Sequence, residues 1–173
     1  MTAFIQAFFH EPTNTITYLV GDPASRAAAV IDPVLDFDQA SGRTSSANAG
    51  AVIDYLRAEG LTLDWVLETH AHADHLSAAP YLKEACGGEI VIGREIVTVQ
   101  KVFSRIFNEV PTFVCDGSQF DRLLGDGDGF TLGSIPSIAL HVPGHTPACL
   151  AYVIGDAAFV GDTLFMPDYG SAR

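Results

Sequence analysis

Between positions 69 and 75 the chain reads Thr69-His70-Ala71-His72-Ala73-Asp74-His75, and no other stretch restricts its fold so strongly. Three imidazoles and a carboxylate within six consecutive positions are costly to bury as core and unusual as surface. A divalent metal wants that mixture of nitrogen and oxygen ligands. The preceding Leu63-Asp64-Trp65-Val66-Leu67-Glu68 reads as a buried strand, and the residues from His75 to about Ala85 predict a helix. The cluster is therefore expected on a strand-to-helix loop, at the centre of a metal site.

Composition narrows the partners of such a site. The 173 residues suit a single α/β domain, and 48% hydrophobic content is ample for a sizeable core. Nine basic against 21 acidic residues give a net charge of −12, which repels phosphate backbones and anionic membrane surfaces. Nucleic acid and membrane are thus excluded as expected partners. No basic segment precedes an apolar stretch at the start, and no apolar run approaches the roughly eighteen residues needed to span a bilayer. A soluble, cytoplasmic chain is the expectation. Cys86, Cys115 and Cys149 are odd in number and widely spaced, which argues for reduced thiols rather than a disulfide framework or a thiolate zinc site.

Taken in order, Phe4–Phe9 and Thr15–Val20 predict a hairpin across a Glu-Pro-Thr-Asn turn, with His10 read as an ordinary structural histidine. Ala27–Ile31 predicts a fully apolar strand closed by Asp32-Pro33, followed by a polar loop from Ser41 to Asn48. A helix carrying Ala51, Ile53, Leu56 and Ala58 stops at Gly60 and feeds the strand that leads to His70. Gly87-Gly88 turns the chain into the strand Glu89–Ile92, and a further helix is expected around Ile96–Phe107. Gly125-Asp126-Gly127-Asp128-Gly129 alternates acids with glycines but lacks the terminal glutamate of a calcium loop, so it reads as a turn between strands. Segments 130–132, 137–141, 150–154 and 157–160 then predict strands.

Two later motifs supply further candidate ligands. Pro143-Gly144-His145-Thr146 sets a histidine on a tight turn between strands, and Gly161-Asp162-Thr163 does the same with a carboxylate. Alone, each has an ordinary structural reading. Beside the His70 cluster, His145 and Asp162 become ligand candidates.

The ordered set His-x-His-x-Asp-His, Pro-Gly-His-Thr and Gly-Asp resembles the metallo-β-lactamase superfamily, an αβ/βα four-layer sandwich. Segments 68–79, 117–123 and 161–170 are similar, more narrowly, to bacterial persulfide dioxygenases of the glyoxalase II-like branch, which are often linked to rhodanese-type sulfurtransferases. That resemblance implies a single non-haem Fe(II) held by His70, His145 and Asp162, oxidising glutathione persulfide with O2 to sulfite and glutathione. His72, Asp74 and His75 would then hydrogen-bond metal-bound water or orient the ligand imidazoles, Asp74 and His75 being the candidate catalytic groups. Tyr169 and Arg173 would contact the substrate, and Phe165 could line the cleft.

The competing expectation is a glyoxalase II-like thioesterase with two zinc or iron ions, in which His72, Asp74 and His75 join the ligand set and Asp162 bridges. The resemblance covers roughly the first two thirds of such a domain. It stops before the closing strands, the final helix and a last histidine, so a third expectation is a non-catalytic metal-binding fragment. Exposed sheet edges would favour a homo-oligomer.

Overall fold

The computed structural model describes residues 2–110 and 112–171. Its centre is a six-stranded sheet built, in spatial order, from β1 (Phe4–His10), β2 (Thr15–Gly21), β3 (Ala27–Ile31), β6 (Thr62–Leu67), β8 (Glu89–Gly93) and β9 (Arg122–Leu124). The first three strands pair antiparallel, and β3, β6, β8 and β9 run parallel. All five residues of β3 are buried, as expected of a central strand covered on both faces. On one face α1 (Ala47–Ala58) and α2 (Ala79–Cys86) set Val52, Ile53, Leu56 and Leu82 against Leu19, Ala28, Val30 and Val66. On the other face Val20, Ala29, Ile31, Leu67 and Val91 meet the inner residues of a second sheet.

That second sheet is an antiparallel meander of β10 (Gly129–Leu132), β11 (Ile135–His141), β12 (Leu150–Ile154) and β13 (Ala157–Phe159). Along β11 burial alternates strictly, with Ile135, Ser137 and Ala139 turned inward. Helix, sheet, sheet is the layer order that results, and the mixed α/β class expected from the sequence is the one observed. The third helix, α3 (Ile96–Ile106), follows β8. Among the described residues no helix is long and apolar enough to cross a membrane.

Two local expectations are corrected. The loop expected from Ser41 to Asn48 is not all loop, because it contains β5 (Arg43–Ser45), which forms a small sheet with β4 (Val34–Asp38) and β7 (Leu76–Ser77) in the order β5-β4-β7, and α1 already begins at Ala47. Asp38 closes the hairpin by accepting hydrogen bonds from the Ala40 N–H (2.9 Å) and the Ser41 hydroxyl (2.8 Å), chemistry that reads as loop in sequence. The helix expected from His75 begins only at Ala79. Leu76 and Ser77 pair with Leu35 and Val34 instead, and the Ser77 hydroxyl accepts the Ala79 N–H (3.0 Å) at the helix entrance. The glycine-acid stretch at 125–129 is a turn, as expected: Asp128 accepts the Gly125 N–H at 2.7 Å and pairs with Arg94 at 2.9 Å.

Candidate metal centre

The histidine cluster leaves the C-terminal edge of the parallel sheet, anchored from both layers. The Glu68 N–H donates to the Val91 carbonyl (2.9 Å) and the Leu150 N–H to the Thr69 carbonyl (2.8 Å). The buried Tyr152 hydroxyl donates to the Glu68 carbonyl at 2.9 Å. This clamps residues 68–70, all buried, and makes His70 one of the least accessible polar side chains. The β11–β12 turn brings His145 across, and the 3-10 turn Gly161–Thr163 after β13 brings Asp162. His70, His145 and Asp162 each place one ligand atom within 4.8 Å of the others. The rings of His70 and His145 lie edge to face, 4.8 Å between centroids.

Hydrogen bonds determine which nitrogen of each imidazole faces the centre. Thr69 donates its hydroxyl proton to Asp32 Oδ2 (2.8 Å), so its 2.9 Å contact with His70 Nδ1 requires the ring to be the donor. His70 therefore carries its proton on Nδ1 and presents a lone pair at Nε2. Ser171 repeats the arrangement. Its hydroxyl donates to the Asp162 carbonyl (2.7 Å) and accepts from His145 Nδ1 (2.7 Å), turning His145 Nε2 toward the centre. That Nε2 lies 3.4 Å from Asp162 Oδ2. Two ligands each about 2.1 Å from one ion sit roughly 3.0–3.4 Å apart, so this donor set fits a metal ion. Burial, then the charge of His72, pushes His70 down to about 4, which keeps it neutral and able to ligate.

His72 is arranged differently. Its Nε2 lies 3.0 Å from Asp32 Oδ1 and 3.4 Å from Glu68 Oε2, both carboxylates being buried. Burial opposes a charge on this ring, but the hydrogen bond and charge of Asp32, followed by those of Glu68, outweigh it and raise His72 to about 11. His75 stacks on His72 at 4.3 Å, and its buried Nε2 has no hydrogen-bond partner. Burial and the His72 charge lower its pKa, so it too is a neutral donor aimed inward. His72, Asp74 and His75 form a second group able to hold an ion.

A cavity of about 650 Å³ opens beside these groups, with Asp32, His72, Asp74, His75 and Asp162 at its polar end and Ile5, Ile16, Tyr18, Phe159, Leu164 and Phe165 on its apolar walls. Tyr169 is exposed and stacks on Phe165 with ring centroids 6.4 Å apart. Arg173 lies outside the described residues. Cys149 is buried and its Sγ accepts the Thr146 N–H at 3.3 Å, so it is a packed thiol.

Sequence reasoning missed four participants. Asp32, read as a strand terminator, is a buried carboxylate in the left-handed backbone region (φ 48°) that accepts three hydrogen bonds. Its Asp-Pro context signalled only a turn. Thr69 and Ser171, which orient the two imidazoles, and Glu68, which backs His72, carry no signal of their own. Only proximity in the fold gives them a role.

The Metallo-beta-lactamase superfamily profile matches residues 11–173. A probable metallo-hydrolase of Burkholderia pseudomallei is 55% identical over 98% of this chain and 61% of its own length. Glyoxylase B2 of Dictyostelium discoideum is 44% identical over 99% of this chain and 59% of its length, and the mitochondrial persulfide dioxygenase ETHE1 of Mus musculus is 32% identical over 96% and 54%. Among solved structures, ETHE1 from Myxococcus xanthus superposes with a TM-score of 0.71 at 26% identity, covering 98% of this chain and 64% of that one. The chain thus spans about three fifths of the length of these relatives. With its ordered motifs, its two facing sheets and its converging ligands, the chain belongs to the metallo-beta-lactamase superfamily.

Proposed function

We propose that this chain carries the site of a metal-dependent persulfide dioxygenase, with a single iron held by His70, His145 and Asp162. The observation that carries the reading is the convergence of two imidazoles and one carboxylate while His72 Nε2 is turned onto Asp32. Two histidines and one carboxylate on one face leave other positions on the ion open, the arrangement of non-haem Fe(II) oxygenases. Ferrous iron bound there supplies open positions for O2 and for a substrate sulfur, and the electrons that couple them. The overall change is balanced: glutathione persulfide, O2 and water give glutathione and sulfurous acid, which ionises to sulfite. The protein's part is positional. Thr69 and Ser171 keep the His70 and His145 rings aimed at the ion, while the Asp32–His72 pair holds a proton at the polar end of the cavity. Ile16, Phe159 and Phe165 offer an apolar wall beside the substrate sulfur.

The likeness to persulfide dioxygenases supports this reading, and the likeness to a probable metallo-hydrolase and a glyoxylase supports a second one. In that alternative His72, Asp74 and His75 hold a second ion, and the site hydrolyses a thioester. Elemental analysis of anaerobically purified protein, joined to O2 uptake on glutathione persulfide, separates the two. One iron per chain with substrate-dependent O2 uptake is expected. Two metals and thioester cleavage without O2 uptake overturn the dioxygenase.

A further inference from the structure

The third helix shows water a face that its sequence patterns for burial. Val99, Val102, Phe103 and Ile106 repeat at the i, i+3, i+4, i+7 spacing of a core-facing stripe. Yet of its 11 residues α3 buries two, Ile96 and Gln100. Val102 and Phe103 are each 48% exposed, Ile106 is 65% and Phe107 68% exposed, and the apolar surface continues through Val110, Phe113 and Val114.

Hydrogen bonds hold this surface in shape. Asn108 takes the left-handed conformation (φ 51°) that ends the helix, and the Glu109 N–H closes on the Ser104 carbonyl at 2.9 Å, so the chain turns back. The returning loop is tied to α3 through Gln100. Its amide oxygen accepts the Gly117 N–H (3.0 Å) and its NH2 donates to Gln119 Oε1 (2.8 Å), while Gln119 donates in turn to the Val114 carbonyl (2.9 Å). The Phe103 and Phe107 rings stack 5.7 Å apart at 9°. Side chains ordered in this way before association lose little further freedom on binding.

Area and charge together select the occupant. With an aromatic side chain offering about 150–250 Å² and an aliphatic one less, the exposed fractions of the seven residues from Val102 to Val114 amount to roughly 600 Å². That stands at the upper end of the largest patch on a typical monomer, about 300–600 Å². A standard interface buries about 800 Å² per partner, and in homodimers about 65% of it, or about 500 Å², is apolar. The stripe supplies that amount. Copies of a chain with net charge −12 repel one another over most of their surface. Residues 96–114, however, carry Lys101 and Arg105 against Glu109, a face of mixed sign on which two copies meet without that repulsion, as a two-fold contact requires.

We infer that the exposed stripe of α3 and its returning loop, centred on Phe103, Ile106 and Phe107, is the interface of a two-fold dimer of this chain. Self-association is thereby placed on a helix face and not on a sheet edge. The inference is independent of the reaction assigned to the metal centre, because none of these residues lines the cavity.

The test is sedimentation equilibrium of the metal-loaded 173-residue protein over a concentration series, with melting temperatures read on the same samples. Wild type is expected at twice the monomer mass of 18.4 kDa, with a melting temperature that rises with protein concentration. Phe107→Glu raises the dimer Kd at least about 30-fold, the loss of a central anchor, and leaves metal content unchanged. Leu140→Glu, on the outer face of the second sheet, where Leu140 is 37% exposed, leaves the dimer intact. Should Phe107→Glu fold poorly, Phe107→Ser carries the test. A wild type that stays monomeric throughout overturns the inference, as does a dimer that Leu140→Glu breaks and Phe107→Glu does not. Monomeric wild type that floats with phosphatidylcholine vesicles, and loses that binding in Phe107→Glu, assigns the stripe to a membrane surface and overturns it as well.

Discussion

Replacing Asp32 by asparagine changes one atom, yet it reverses the proton order that prepares His70 for a metal. In the native protein three donors converge on the carboxylate: the Thr69 N–H at 2.7 Å, the Thr69 hydroxyl at 2.8 Å and His72 Nε2 at 3.0 Å. The Asp32→Asn amide keeps an oxygen for the Thr69 N–H and the His72 ring, but places an NH2 where Oδ2 was. The Thr69 oxygen must then accept from that NH2, and its own proton swings to His70 Nδ1. His70 is forced to carry its proton on Nε2, the atom that should ligate. Losing such an orienting partner costs about 10–100-fold in metal affinity, or roughly 1.4–2.8 kcal/mol. The metal-free protein also loses the charge that faces His72, a charge-assisted bond worth about 1.5–3 kcal/mol. At about 2–4 °C per kcal/mol for a chain of this size, the melting temperature falls by roughly 3–12 °C. Chelator competition with Co(II) measures the affinity, and nitrogen-15 spectra of the imidazoles report the tautomer. An Asp32→Asn protein that binds metal within two-fold of wild type, with His70 still protonated on Nδ1, refutes the relay.

Three further outcomes are expected. His70→Ala and Asp162→Ala abolish iron retention, whereas His72→Ala lowers turnover more than metal content; equal metal loss in all three, read by elemental analysis, counts against the single-ion arrangement. Gly161→Ala destabilises by about 1–2 kcal/mol and weakens metal binding, because Gly161 has φ +50° and a Cβ would stand 2.5 Å from Thr69 Oγ1, the atom that orients His70; denaturant melts and chelator competition test both, and an unchanged midpoint refutes it. Asp22 is held well below the usual carboxylate range by the Ser134 N–H, then the Ser25 hydroxyl and the Ala24 N–H. Its folded pKa being depressed, its contribution is complete above the unfolded value of about 3.9 and is lost as pH falls through the lower folded value. Asp22→Asn therefore lowers the melting temperature at pH 7, and the gap to wild type narrows as pH falls below about 3.9; a gap of equal size at pH 7 and pH 2 rules that out.

Much of the site was legible in the sequence because its ligands are of rare residue types in dense spacing. His70, His72, Asp74 and His75 fall within six positions, and no apolar core tolerates them unpaired. The same holds for period and punctuation: the all-apolar Ala27–Ile31, the helix ended before Gly60, and the meander from Phe130 to Phe159 follow from local pattern alone. Helix against strand was misjudged at Leu76-Ser77, where pairing with Val34-Leu35 overrode a helical propensity that carries only tenths of a kcal/mol per residue.

What the tertiary structure alone decided is the orientation of each donor. Nothing local to Asp32 says that it accepts from Thr69 and His72, which lie 37 and 40 residues away, and nothing in Ser171 says that it aims His145. Nor does His10 betray that a carboxylate from β4 and a hydroxyl from the hairpin tip meet on its ring. Residue type specifies which atoms can donate or accept, and that is written in the sequence. Which nitrogen holds the proton depends on partners brought within about 3 Å by strand register and layer packing, and register is a property of the assembled sheets.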